Sequence, residues 1–149
     1  MKLDLELILS EWKTDCQIPT HQLDETSRQT PMLHAKYLHY LSTAKLSLKR
    51  AEHSQKDLLK DKWLYYNGKM DEDTLKSKGW EPDPFNGLRV LKGEMEHYYD
   101  SDPEIQRSEE KITYLKTVID TLNEIVNNLN WRHQTIGNMI RWKQFEAGV

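Results

Sequence analysis

Two long stretches of the sequence contain neither glycine nor proline, and they restrict the possible fold more than any other feature. These stretches are residues 32–67 and residues 104–136. Glycine and proline are the strongest local signals for turns and helix ends, so their absence favours uninterrupted structure. Apolar residues recur in both stretches at spacings of three and four, as they do on one face of a helix. The sequence therefore predicts an all-α fold built on two long helices.

The boundaries of the first helices are expected from apolar spacing and from proline. A short amphipathic helix is predicted over residues 3–14. The next helix is expected to begin near Thr30, because Pro31 is tolerated in a first helical turn, and to continue to about residue 66. The connection that follows is rich in Asn, Gly, Pro and Asp. It is predicted to be largely irregular, with one or two helical turns at residues 71–78.

A last long helix is predicted over residues 103–145, with Ser101 or Asp102 as its N-cap and Pro103 in its first turn. Its apolar residues form a heptad seam, in which spacings of three and four alternate. The seam consists of Ile112, Leu115, Ile119, Leu122, Val126 and Leu129. A seam of this length must pack against another helix. The helix over residues 30–66 is the expected antiparallel partner, and the N-terminal helix is expected to brace the pair.

The end of the last helix carries an apolar surface beyond the seam. It includes Ile136, Met139, Ile140, Trp142 and Phe145. Buried apolar area contributes about 25 cal/mol per Å², so side chains of this size favour contact with another subunit. The predicted architecture is an elongated helical hairpin or bundle that forms a homo-oligomer. We expect one domain over residues 1–149, with the N-terminal helices and DNA-binding region in 1–101 and the long helix with its assembly tail in 102–149.

The sequence lacks the common motifs of enzyme and cofactor sites. No Gly-rich phosphate loop, CxxC pair, HExxH or serine nucleophile elbow occurs. The six histidines have no metal-ligand spacing, and the acids of residues 71–73 lack the ligand pattern of a calcium loop. We therefore predict no catalytic residue, no metal and no cofactor, and we do not expect an enzyme.

Features of secreted and membrane proteins are also missing from the sequence. The single cysteine, Cys16, cannot form an internal disulfide, and the N-terminus lacks the basic and then apolar pattern of a signal peptide. No apolar run approaches the roughly 18 residues that suggest a membrane span. A soluble cytoplasmic protein without a membrane partner is expected.

Charge is unevenly distributed along the chain, whose formal net charge is -3. Residues 45–69 contain seven Lys and Arg against three Asp and Glu, whereas residues 70–104 contain four against ten. Residues 45–69 are therefore cationic although the net charge of the whole chain is negative. The acidic segment either contacts a basic partner or only keeps the protein soluble.

The basic segment also contains aromatic residues, in the sequence KDLLKDKWLYYNGKM at residues 56–70. In one interpretation its lysines line a solvated helix face while Trp63 and Tyr66 pack inward. In the other, the lysines neutralise phosphates and the aromatic rings stack on unpaired bases. The three aromatic residues point in different directions on a helix, so at most two can face a strand. We expect Tyr65 to be the more exposed.

Three segments, LKDKWLYYNGKM, WEPDPF and MIRWKQFEAGV, resemble the UvsY family of recombination mediators from T-even-like bacteriophages, especially the forms carried by phages of cyanobacteria. The resemblance covers nearly the whole chain in length and order of elements. It implies a non-enzymatic protein that binds single-stranded DNA and forms a ring-like homo-oligomer of about six or seven subunits. It also implies contact with the phage single-strand-binding protein and loading of a UvsX-like, RecA-type recombinase onto covered strands, in the cytoplasm of the infected bacterial host.

The resemblance also implies site residues. The two basic residues of the family's motif, one residue apart before the double tyrosine, match Lys60 and Lys62, our first choice for phosphate contacts. Lys62 stands where the family carries Arg, so it keeps the charge and loses the planar fork. The other nucleic-acid-binding residues expected are Lys49, Arg50, Lys56, Tyr65 and Lys69. The family's assembly region maps onto the terminal apolar residues.

Two rival functions make different demands on the sequence. A coiled-coil scaffold or adaptor that never contacts nucleic acid would use residues 45–69 only as a solvated face. A small helical enzyme would need a convergent set of titratable groups, for which the sequence offers no candidates. Salt-dependent binding of single-stranded DNA separates the mediator from the scaffold.

Overall fold

Helices form most of the part of the chain that the computed structural model describes, residues 3–149. No strand occurs within this range, and the all-α prediction is confirmed. A 3₁₀ turn over Lys92–Glu94 precedes the fourth helix. The α-helices are α1 (Leu5–Asp15), α2 (Leu23–Tyr66), α3 (Glu72–Lys78), α4 (Met95–Asp100), α5 (Pro103–Asn130) and α6 (Arg132–Glu146).

Helix α2 begins at Leu23, earlier than the sequence suggested. Pro31 therefore lies inside the helix and not in its first turn. Proline has no N–H, so Pro31 can make no bond to the carbonyl of the residue four positions before it. The helix continues across that missing bond. The amide of Thr26 donates to the Gln22 carbonyl (3.0 Å), and the Thr30 hydroxyl donates to the Thr26 carbonyl (3.3 Å). The expected start near Thr30 is therefore wrong.

The predicted last helix is two helices, separated at Trp131. The amide of Trp131 donates to the Asn128 carbonyl (3.2 Å), and the amide of Gln134 donates to the Trp131 carbonyl (3.0 Å). These bonds join residues three apart, as in a 3₁₀ turn, and interrupt the α-helical ladder. The expected N-cap is confirmed at Asp102, whose carboxylate accepts bonds from the amides of Glu104 and Ile105 (2.9 and 3.1 Å).

The chain divides into two compact units. Unit 1 contains the chain up to Ser47 together with Leu115–Val149, and unit 2 contains Leu48–Tyr114. Helices α2 and α5 each contribute to both units. The expectation of one domain stays a prediction.

The core of unit 1 joins α1, α2 and α5, as the helix pairing predicted. It consists of Ile8, Tyr37, Leu41, Ala44, Val118, Leu122, Ile125 and Leu129. Two seam residues, Ile119 and Val126, are only half-buried, and Val118 and Ile125 take the deeper positions. A helix with 3.6 residues per turn drifts relative to a strict seven-residue repeat, so the buried face shifts by one position.

A polar cluster connects the start of α6 to the end of α1 in unit 1. The Arg132 guanidinium, buried with 4% of the residue exposed, donates to the Asp15 carbonyl (3.2 Å). The Asp15 carboxylate accepts bonds from the Lys36 ammonium (2.7 Å) and the Tyr37 hydroxyl (2.8 Å). Burial by itself would raise the pKa of Asp15, but these two bonds outweigh it and hold the pKa below its ordinary value. The cluster thus connects the first residue of α6 to the last residue of α1.

Candidate nucleic-acid interface

A stripe of exposed polar and basic residues runs along α2 within unit 2. Its members recur at alternating spacings of four and three, which places them on one face of the helix. At 1.5 Å per residue, the distance along the axis from Lys49 to Trp63 is about 21 Å. We call this surface the basic stripe. It consists of Lys49, His53, Lys56, Lys60 and the apolar Trp63 of α2, together with Asn67, the first residue after the helix.

The central lysines of the basic stripe are available to a ligand. Lys56 and Lys60 are exposed, and among residues 3–149 no carboxylate lies within 4.0 Å of either ammonium. Lys49 is paired only loosely with Glu52 at 3.9 Å, and both side chains are accessible to solvent. Exposed pairs of this kind contribute little, so Lys49 can exchange its carboxylate for a phosphate. Asp61 is paired with Lys78 of α3 (3.1 Å).

The two basic residues of the family motif have opposite environments. Lys60 is exposed, whereas Lys62 is buried with 4% exposed. The Lys62 ammonium lies 2.9 Å from Asp102 and 3.4 Å from Glu104, and it sits 3.9 Å from the centre of the Trp80 ring. Two residues along a helix correspond to a rotation of about 200°, so the pair cannot share a face. The expectation that Lys62 contacts phosphate is therefore corrected: its ammonium is occupied inside the protein.

Asp102 is the centre of this buried cluster in unit 2. Its carboxylate accepts from the Lys62 ammonium and from the Tyr66 hydroxyl (2.7 Å) while capping α5. Burial acts to raise the pKa of Asp102, but the bonds from Lys62 and Tyr66 prevail and lower it. Burial, with the bond to Asp102, raises the pKa of Tyr66. The cluster joins the end of α2 to the start of α5 and orients the helix that carries the basic stripe.

The expected order of exposure among the motif aromatics is wrong. Tyr65 is buried, with 8% exposed, and its hydroxyl donates to the Glu81 carbonyl (2.7 Å). Trp63 is the exposed residue, at 47%, while Tyr66 is half-buried. The signal was present in the sequence. A stripe with spacings of four and three that starts from the apolar residues of α2 reaches Lys62 and Tyr65, whereas Trp63 falls on the lysine face.

The glycine of the motif positions one more lysine beside the basic stripe. Gly68 has a φ of +68°, and its amide donates to the Tyr65 carbonyl (3.2 Å). The amide of Lys69 donates to the Leu64 carbonyl (2.8 Å), which completes a Schellman motif at the end of α2. The chain thereby turns back, and the Lys69 ammonium lies 4.6 Å from the centre of the Trp63 ring.

Five of the seven predicted nucleic-acid-binding residues are exposed, and two are buried. Arg50 follows Lys49 by one residue, so it lies about 100° around the helix, at the side of the stripe. The exposed residues are Lys49, Arg50, Lys56, Lys60 and Lys69, and the buried ones are Lys62 and Tyr65.

The predicted assembly residues also differ in exposure. Ile136 is buried within the chain, with 4% exposed, because it follows Leu129 and Arg132 on the same buried helical face. It is therefore unavailable to a partner in this conformation, which corrects its expected role. Met139 is half-buried, while Ile140, Trp142 and Phe145 are exposed, the last at 72%. The Trp142 and Phe145 rings stack with centroids 5.5 Å apart.

Residues 3–149 contain neither a metal-binding cluster nor a membrane-spanning helix. No group of three or more His, Cys, Asp or Glu side chains in this range is placed to hold a metal ion. No helix in the same range has both the length and the apolar character to cross a membrane.

Comparison with known proteins gives consistent matches. Residues 11–149 match the family described as recombination, repair and ssDNA binding protein UvsY. The recombination protein uvsY of Enterobacteria phage T4 is 26% identical over 144 residues, covering 97% of this chain and 98% of the T4 protein. A crystal structure of the bacteriophage T4 recombination mediator protein UvsY superimposes with a TM-score of 0.80 at 24% identity, covering 98% of this chain and 99% of the T4 chain. A second crystal form gives 0.77 at 23% identity, covering 97% and 99%. The chain belongs to the UvsY family of recombination, repair and single-stranded-DNA-binding proteins.

Proposed function

We propose that the basic stripe is the surface on which this protein holds single-stranded DNA. The observation that carries the proposal is the pair Lys56 and Lys60, which are exposed, one helical turn apart and without a carboxylate partner among the described residues. Each lysine that neutralises a phosphate releases the counterion condensed there, which supplies binding free energy at low salt. Lys49 and Lys69 extend the same surface to either side.

One stripe neutralises only a few phosphates, so a single protomer binds weakly at physiological salt. We propose that Met139, Ile140, Trp142 and Phe145 assemble protomers into a ring-like homo-oligomer of about six or seven subunits. Once one stripe is bound, the others meet the strand at a high effective concentration, and the apparent affinity rises by orders of magnitude. The exposure of Trp142 and Phe145 supports this role for the tail.

The proposed activity is that of a recombination mediator in the cytoplasm of the infected bacterial host. Strand held on the assembly is released from the phage single-strand-binding protein and presented to the phage's RecA-type recombinase. Release of the strand requires no catalytic residue. A protein that binds one state of the DNA–protein complex more tightly than another shifts the population toward that state. Family membership and the match to T4 UvsY support the proposal.

The test is the salt dependence of oligonucleotide binding. We expect Lys56→Ala/Lys60→Ala to bind more weakly than the parent and to show a salt slope smaller by about 1.4 for each engaged protomer, at 0.7 for each lost phosphate contact. The matched control is Lys111→Ala/Lys116→Ala, which removes the same charge from exposed positions of α5. Equal loss in both variants would mean that net charge is responsible and not the stripe. Absence of salt-dependent binding in the parent would favour the scaffold.

A further inference from the structure

Trp63 distinguishes the basic stripe from an ordinary solvated helix face. Single exposed apolar residues are common on proteins and carry no meaning by themselves. Here the exposed indole lies on the same face as Lys60, less than one turn away, and the Lys69 ammonium lies 4.6 Å from its ring centre. Sites for single strands combine such cationic groups with aromatic faces on which bases stack.

Trp63 stands apart from the aromatic cluster of unit 2. Among residues 3–149, Trp63 makes no ring-to-ring contact. Tyr65 packs against Tyr66 and Trp80 at 5.1 and 5.0 Å between centroids, and Tyr66 also contacts Phe85 at 5.8 Å. The aromatic cluster of this unit therefore does not include Trp63, and 47% of that residue stays exposed to a ligand.

We propose that Trp63 is a stacking platform for one unpaired base, and that Lys60 and Lys69 hold the phosphates on either side of it. This inference rests on the proposed function, since it takes the basic stripe as the strand-binding surface. The contact between the Lys69 ammonium and the ring is a cation–π interaction at an exposed site, which is weak enough to exchange. When the base covers the ring, the Lys69 ammonium moves to the adjacent phosphate.

In this arrangement the lysines supply affinity for nucleic acid, and Trp63 supplies selectivity for single strands. The lysines attract phosphates of single strands and duplexes alike, so they cannot distinguish the two. In a duplex the faces of the bases are already covered by their neighbours, and the indole finds no free face. Every base has a π-face, so stacking is tolerant of sequence. Trp63 therefore selects single strands over duplexes without selecting a sequence.

The experiment compares two oligonucleotides with equal numbers of phosphates, oligothymidine and a fully abasic strand, across a range of salt concentrations. The parent is expected to bind oligothymidine about 5- to 150-fold more tightly than the abasic strand for each stacked base. Trp63→Leu is expected to lose most of this ratio while its salt slope stays unchanged. Trp63→Phe, which keeps an aromatic face, should retain part of it.

Trp131→Leu is the matched control, because Trp131 is an exposed tryptophan of unit 1 that does not belong to the basic stripe. Oligothymidine should quench the fluorescence of the parent and of Trp131→Leu, and it should quench Trp63→Phe much less. An unchanged ratio of the two affinities in Trp63→Leu would overturn the inference while leaving the proposed function intact. Salt-independent binding by the parent, or an unaltered slope in Lys56→Ala/Lys60→Ala, would overturn both.

Discussion

Replacing Lys62 by methionine tests whether the second basic residue of the motif supports the structure or contacts DNA. Methionine keeps an unbranched apolar chain beside Trp80 but removes the ammonium that lies 2.9 Å from Asp102. The carboxylate of Asp102, with 3% of the residue exposed, then remains buried without its cation. Breaking a buried pair on one side costs about 3–5 kcal/mol, since the remaining charge is uncompensated.

The lower end of that range applies here. After the substitution, the Tyr66 hydroxyl and the amides of Glu104 and Ile105 still donate to Asp102. A loss of about 3 kcal/mol corresponds to a fall in Tm of roughly 6–12 °C for a chain of this length. The assay is thermal unfolding at equal protein concentration, because the proposed assembly would make Tm depend on concentration. Oligonucleotide binding is measured in parallel, well below both transitions.

Two further variants make the result specific. Asp102→Asn keeps a good N-cap for α5 and removes the charge, so Lys62→Met/Asp102→Asn should be more stable than Lys62→Met alone. Lys60→Met, on the exposed face, should leave Tm unchanged and reduce the salt slope of binding by about 0.7 for each engaged protomer. If Lys62→Met kept the parent's Tm and lost salt slope as Lys60→Met does, the structural role of Lys62 would be refuted.

Three further outcomes are expected. Gly68→Ala should lower stability by about 1 kcal/mol in denaturant unfolding, because its φ of +68° is unfavourable for any residue with a Cβ, whereas Gly93→Ala should change little. Because the pKa of Asp102 is lowered in the folded state, its contribution to stability is present above its ordinary pKa of 3.8 and is lost as pH falls through the folded value. Asp102→Asn should therefore make Tm depend less on pH on the acid side. An unchanged dependence of Tm on pH would contradict this. Trp142→Ala/Phe145→Ala should shift light scattering toward smaller species with little change in helicity, and an unchanged mass would exclude these rings from assembly.

Most of the helical fold could be predicted because its signals are local. The absence of glycine and proline, the apolar spacing and the cap at Asp102 act within a few residues of each other. The two errors in the long helices also have local causes. Pro31 removes one hydrogen bond, which α2 can lose and still continue. The break at Trp131 could not be predicted in the same way, because no glycine or proline stands at that position.

The partners of the buried face of α2 near Lys62 were decided by tertiary structure. The sequence alone determined that lysines and aromatic residues alternate near the end of this helix, and its helical period already separated Lys60 from Lys62. It also placed Lys62 on the continuation of the apolar face of α2, but it did not determine what would receive the ammonium there. That depended on Asp102 and Trp80, which are distant in sequence and reach Lys62 only when the chain folds back. A buried charge needs a partner, and only the folded chain supplies one. For this reason Lys62 binds a carboxylate, whereas Lys60, two residues earlier, faces solvent.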